Sequence, residues 1–165
     1  MSSGLKEKGN WKAMWQVKKW ETEESFNSSQ PPKEIVDIDG NQLENVGINE
    51  LFTILCSASS GTKYDNTNSY LGVGESTDAF DATDTDLQGS SKVWVAMDAT
   101  FPTYGTSQKA IWQSTFGSAV ANQAWEEFAV GNASDGGDIL NRKVVSLGTK
   151  SVGQVWVLTL TVTLS

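Results

Sequence analysis

Gln154-Val155-Trp156-Val157-Leu158-Thr159-Leu160-Thr161-Val162-Thr163-Leu164 is the stretch that decides the fold class. In an extended chain, Trp156, Leu158, Leu160, Val162 and Leu164 share one face, and Val155, Val157, Thr159, Thr161 and Thr163 share the other. A helix would scatter both sets around its circumference, because its period is about 3.6 residues rather than two. The alternation therefore predicts a half-buried antiparallel strand. Gly148-Thr149-Lys150-Ser151-Val152-Gly153, just before it, reads as the loop of its hairpin.

Working back along the chain, everything from Ser59 onward is rich in Gly, Ser, Thr, Asn and Asp, broken by short apolar runs. That is the pattern of many short strands joined by turns. Candidate strands are residues 70–73, 92–99, 110–116, 126–130, 143–147 and 154–164. Glu34-Ile35-Val36-Asp37-Ile38 adds another, ending in the turn residues Asp39-Gly40-Asn41. Asn49 before Glu50-Leu51-Phe52-Thr53-Ile54-Leu55-Cys56 reads as the N-cap of the one substantial helix. The expected fold is mainly β: an antiparallel β-sandwich, jelly-roll-like, with one short helix and an N-terminal extended arm.

The arm is residues 1–32, a small polar opening followed by Trp11-Lys12-Ala13-Met14-Trp15-Gln16-Val17-Lys18-Lys19-Trp20, the polar run 21–30 and Pro31-Pro32. Trp11, Ala13, Trp15 and Val17 would line one face of a strand; a helix would also gather Trp11, Trp15 and Lys18. The polar run and the two prolines read as a linker, which leaves residues 33–165 as the sandwich domain. Two readings of the arm stand side by side. It adds a strand to its own domain and buries the indoles there, or it docks on a neighbouring copy, with Trp11, Trp15 and Trp20 as subunit-interface residues.

Composition removes several functions. A chain of 165 residues supports one domain with a real core. A net charge of -8 lacks the clustered cations that displace counterions from a phosphate backbone, so no nucleic-acid partner is expected. No apolar run is long enough to span a membrane or to serve as a secretion signal, so a soluble chain made in a cytoplasm, with no membrane partner, is expected. The chain has no histidine, which removes Ser-His-Asp triads, Cys-His pairs and HExxH zinc sites. Its only cysteine, Cys56, allows no intrachain disulfide and reads as a buried small hydrophobe. Carboxylate chemistry of the glycosidase type is left open, but no spacing among the 20 acidic residues singles out a pair. No catalytic residue, cofactor or metal is assigned.

Four local patterns resemble chemical motifs and read better as structure. Gly72-Val73-Gly74-Glu75-Ser76-Thr77 lacks both the third glycine of a dinucleotide loop and the Gly-Lys-Ser/Thr of a Walker loop, so its glycines are read as a bend. Asp37-x-Asp39-x-Asn41 begins like a calcium loop but has Gln42 and Ile48 where glycine and glutamate are required. Asp78, Asp81, Asp84 and Asp86 are close enough in sequence to converge on calcium, yet meet no defined loop spacing; a solvated loop with Asp caps is the preferred reading. Asn27-Ser28-Ser29 and Asn132-Ala133-Ser134 are glycosylation sequons only in a secretory route, which the missing signal argues against.

Several blocks in consistent order carry a resemblance. Leu71-Gly72-Val73-Gly74-Glu75-Ser76-Thr77-Asp78-Ala79-Phe80 and Thr83-Asp84-Thr85-Asp86-Leu87-Gln88-Gly89 are followed by Ala121-Asn122-Gln123-Ala124-Trp125-Glu126-Glu127 and Leu140-Asn141-Arg142. Leu147-Gly148-Thr149-Lys150 and Trp156-Val157-Leu158-Thr159 complete the set. Across residues 41–165 the chain resembles virion structural proteins of tailed bacteriophages, and among them capsid decoration (cement) proteins; the tryptophan-bearing arm is not matched.

The resemblance implies a non-enzymatic subunit made in the host cytoplasm and placed on the capsid surface of the virion. Its implied partners are the major capsid protein, or a tail protein, and copies of itself, as a homotrimer. A tail, fibre or baseplate component is the nearest alternative. A calcium-dependent carbohydrate-binding module is the rival of another class; it would need Trp94 or Trp112 exposed against sugar rings, whereas their place in alternating strands predicts burial.

Overall fold

The computed structural model describes residues 10–40 and 43–165. The polar opening and Asn41 of the expected turn therefore lie outside the described residues. Among the described residues, nine strands and two helices follow in the order β1 (Trp11–Trp20), α1 (Glu23–Asn27), β2 (Glu34–Asp39), α2 (Asn45–Cys56), β3 (Tyr70–Gly74), β4 (Lys92–Ala96), β5 (Thr103–Thr106), β6 (Lys109–Phe116), β7 (Glu127–Gly131), β8 (Asn141–Val144) and β9 (Val155–Leu164). The strands form two antiparallel sheets, one ordered β2-β1-β9-β6-β5 and the other β4-β3-β7-β8. The fold is a β-sandwich, as the alternation predicts.

β9 is central because it has partners on both edges. Trp15 and Trp112 both lie opposite Leu160, one on β1 and one on β6. Directly opposed residues point to the same face, so the inward row of β9 meets Ala13, Trp15 and Val17 on one side and Trp112, Ser114 and Phe116 on the other. Trp15, Leu158, Leu160 and Phe116 are fully buried. Trp15 lies edge-on to Phe128 of the facing sheet at 4.8 Å, and Trp125 stacks edge-on between Phe116 at 4.7 Å and Trp156 at 4.8 Å. These offset rings suit the aromatic quadrupole and fill the space between the sheets.

The extended N-terminal segment lies in the chain's own sheet, the first of the two readings above. β1 pairs with β9 along its whole length, from Trp11 opposite Leu164 to Trp20 opposite Val155, and with β2 on its other edge. The division at residues 32 and 33 does not separate two bodies, because β1 supplies core to the sandwich. Residues 21–32, expected as a linker, fold back instead. Thr22 caps α1 by accepting from Ser25 N at 3.1 Å, Phe26 lies edge-on to Trp20 at 5.1 Å, and Lys33 N donates to Lys19 O at 2.8 Å.

Three further expectations are corrected. The segment before β9 is not a hairpin loop, because β8 belongs to one sheet and β9 to the other. Residues 145–154 cross between them, pinned by buried Leu147 and Lys150. α2 begins at Asn45 with Glu44 at the N-cap position, five residues before the expected cap Asn49. The extra turn forms because Gly47 lets the helix press on the backbone of Ile139 and Leu140, where a Cβ would collide. Cys56, at the end of α2, is exposed rather than buried, since the helix turns its final turn outward along with Leu55. β5 was not foreseen; all four of its residues are exposed, so no apolar alternation marks it.

Candidate functional site

Several of the residues that carry the resemblance meet around one buried guanidinium. Arg142 on β8 is fully buried. Its Nε donates to Glu127 Oε2 at 2.7 Å, its Nη1 to Asp84 Oδ2 at 2.9 Å and its Nη2 to the Asp78 carbonyl at 3.1 Å. Glu127, on the neighbouring strand β7, is itself fully buried; its Oε1 accepts from Gly89 N at 2.6 Å and its Oε2 from Gln88 N at 3.0 Å. Two strands thus present a buried ion pair whose spare hydrogen-bonding capacity grips both ends of the loop 75–91. Buried charges persist only when paired and bonded in this way.

The same loop held the calcium question. Asp84 is taken by Arg142, Asp86 pairs with Lys92, and Asp81 accepts from the backbone and hydroxyl of Thr83 at 2.9 and 2.7 Å. Among the described residues no group of three or more acidic or thiol side chains is placed to hold a metal ion. The Asp residues act as loop caps and as partners for cations.

Beneath this loop lies Glu44, fully buried, with neither carboxylate oxygen bonded among the described residues. Burial, reinforced by the nearby Asp84 carboxylate and opposed by the Arg142 guanidinium, pushes its pKa from 4.5 up to about 8. The folded state therefore holds this proton at pH values where the unfolded chain has released it. Its contribution to stability is complete below about pH 4.5, falls as pH rises and levels off above about pH 8. Glu44→Gln is expected to remove that decline and to stabilise the protein at pH 8 by on the order of 2 kcal/mol. Urea unfolding of both proteins from pH 5 to pH 8 checks this; parallel profiles would show Glu44 ionised in the fold.

A second polar anchor is Lys150, buried with its Nζ donating to Gly117 O and Asn122 Oδ1, both at 2.8 Å. Burial lowers its pKa to about 8. It ties the crossing segment to the loop after β6.

The tryptophans divide by role. Trp15 is fully buried in its own domain and has no surface to offer a neighbour. Trp11 and Trp20 are half-buried at the two ends of β1, and Trp20 Nε1 donates to Gln30 O at 2.8 Å. Trp112 is buried, its Nε1 bonded to Tyr64 O at 3.1 Å. Trp94 lies over Gly72, where any Cβ would strike its ring, and packs beside Leu87, Ala129 and Ile139. Neither forms the open aromatic platform that sugar stacking requires.

Trp11 belongs to a surface feature that sequence reading missed. At the end of the sandwich where β1 and β6 begin and β9 ends, a groove of about 550 Å³ is lined by Trp11, Leu51, Tyr64, Trp112, Val162 and Leu164. Leu55, one helical turn beyond Leu51, is 78% exposed and extends the apolar surface outward, with Phe52 beside it at 62%. The apolar run of α2 was legible; which of its faces would be left uncovered was not. No described helix is long and apolar enough to cross a membrane. Compared with protein-family models, curated proteins and solved structures, the chain matches none.

Proposed function

We propose that this protein is a non-enzymatic structural subunit of a tailed-phage virion, a capsid decoration protein that binds the outer capsid lattice together with copies of itself. The observation that carries the reading is where the resembling blocks fall. Leu71–Gly74 of β3, Trp125, Glu127, Arg142, Lys150 and Trp156 lie in the interior, and Asp78, Asp84, Gln88 and Gly89 bond to the buried Arg142–Glu127 pair. Residues that hold a fold in place are what related architectural proteins would have in common, whereas a shared enzyme activity would gather them at a cleft.

The apolar end of the sandwich supports the same reading. The groove lined by Trp11, Leu51 and Leu164, together with exposed Phe52 and Leu55 on the helix that supplies Leu51, presents apolar side chains on an otherwise acidic protein, and such surfaces mark assembly contacts. Modest contacts per subunit suffice where many copies bind one lattice.

Two measurements test this. Light scattering of the purified protein is expected to give a trimer unaffected by calcium chelation, and electron microscopy of particles containing it should place it on the outside of the head. Localisation to tail or baseplate would move it to the nearest alternative. A monomer absent from particles would overturn the virion reading.

A further inference from the structure

We infer that the free edge of β2 is a docking site for an extended, basic segment of a different protein, which adds a strand to the five-stranded sheet. The inference goes beyond the virion reading and does not depend on it.

The phase of the β1–β2 ladder shows which groups are free. Gly40 N donates to Ala13 O at 3.2 Å, two positions beyond the pair Ile38–Trp15. In an antiparallel ladder, alternate residues turn their backbone groups toward the partner. Glu34, Val36 and Ile38 therefore face β1, and Ile35, Asp37 and Asp39 turn their N–H and C=O groups outward. Among the described residues nothing bonds to those outward groups.

The other edges are blunted. β8 is covered by the segment entering α2, where Leu43 bridges Asn141 and Glu44 N donates to Leu140 O at 3.1 Å. β4 closes against β6, with Ser114 Oγ donating to Val95 O at 3.1 Å. β5 is four residues long and its pairing is broken by a bulge. Beyond β5, the edge of β6 is capped by Asp98, which bonds Gln113 O through its backbone N and Thr115 N through its carboxylate. Among the described edges, β2 combines length, regularity and exposure, and Ile35 on it is 52% exposed.

Charge selects the occupant. Asp37 and Asp39 lie on the outer face of the sheet, each exposed. Gln16 Nε2 occupies Asp37 Oδ1 at 2.8 Å, and Asp39 has no side-chain bond among the described residues. A second copy pairing antiparallel about Asp37 would oppose carboxylate to carboxylate, which destabilises a cross-strand pair. A segment with Lys or Arg at alternate positions would instead match both aspartates. Its intervening apolar residues would continue the row of Val36 and Ile38, which pack on the core. This is recognition by β-augmentation, with affinity from backbone bonds and selectivity from alternate side chains.

The test uses the full chain and two end-blocked peptides, Lys-Val-Lys-Val-Lys and Glu-Val-Glu-Val-Glu. Binding of the lysine peptide, weakened by salt, should slow hydrogen exchange at the amides of Ile35, Asp37 and Asp39; the glutamate peptide should not bind. Asp37→Lys with Asp39→Lys should reverse the preference, each peptide changing by about tenfold. The proposal is overturned if the wild-type amides of Ile35, Asp37 and Asp39 exchange unchanged with the lysine peptide, or if both peptides bind alike. Protection of those amides on self-association, without peptide, would equally overturn it in favour of a second copy.

Discussion

Arg142→Ala is expected to cost about 3–5 kcal/mol, the range for removing one partner of a buried ion pair, and to lower the melting temperature by on the order of 10 °C. The cost arises from what remains. Glu127, fully buried, would keep a carboxylate with no cation, and Asp84 and the Asp78 carbonyl would each lose a donor. Loop 75–91 should loosen in consequence, so the Gln88 and Gly89 amides, which donate to Glu127, should exchange faster than those of the core strands. Arg142→Met combined with Glu127→Leu should cost less than the single change, because it leaves no stranded charge. Denaturant unfolding with amide exchange measures both effects. A loss below about 1 kcal/mol, the scale of an exposed pair, would mean that the network contributes little to holding the loop.

Trp15→Ala is expected to cost about 3–5 kcal/mol, as large aromatic truncations in cores do. The ring is fully buried and meets Phe128 edge-on at 4.8 Å, so its loss opens a cavity between the two sheets that β9 and β7 cannot close without breaking their ladders. Deleting residues 1–21 should go further and prevent folding altogether. β1 lies between β2 and β9, so the deletion exposes the inward row of β9 and strands β2 without a partner. Circular dichroism and size-exclusion chromatography of the deleted chain decide the matter. A folded, monodisperse product would show that β1 is a detachable arm after all.

The candidate framework was only partly readable. Asp84 and Arg142 are 58 positions apart, and Glu127 and Arg142 are 15 apart. Their meeting depends on β7 and β8 being neighbours and on the loop returning over them. The aspartate cluster read as a solvated loop with Asp caps, with calcium as the alternative, and neither reading foresaw the cations that packing delivers to Asp84 and Asp86, which are Arg142 and Lys92. Glu44 gave no signal at all, since a glutamate before a helix is ordinarily solvated and dipole-favoured. Its burial follows from Gly47 drawing the start of α2 onto the backbone of Ile139 and Leu140, just before β8.

The sequence by itself determined the secondary structure of β3, β6 and β9, the antiparallel sandwich class and the loss of histidine chemistry. Side-chain alternation is a local property with a period of two, and composition needs no geometry. Only the tertiary structure decided that β1 joins its own sheet, that residues 145–154 cross between sheets, that Cys56 is exposed and that the edge of β2 has no partner among the described residues. Each of these depends on which element packs beside which, and that choice is made by burial and strand pairing between residues far apart in the chain.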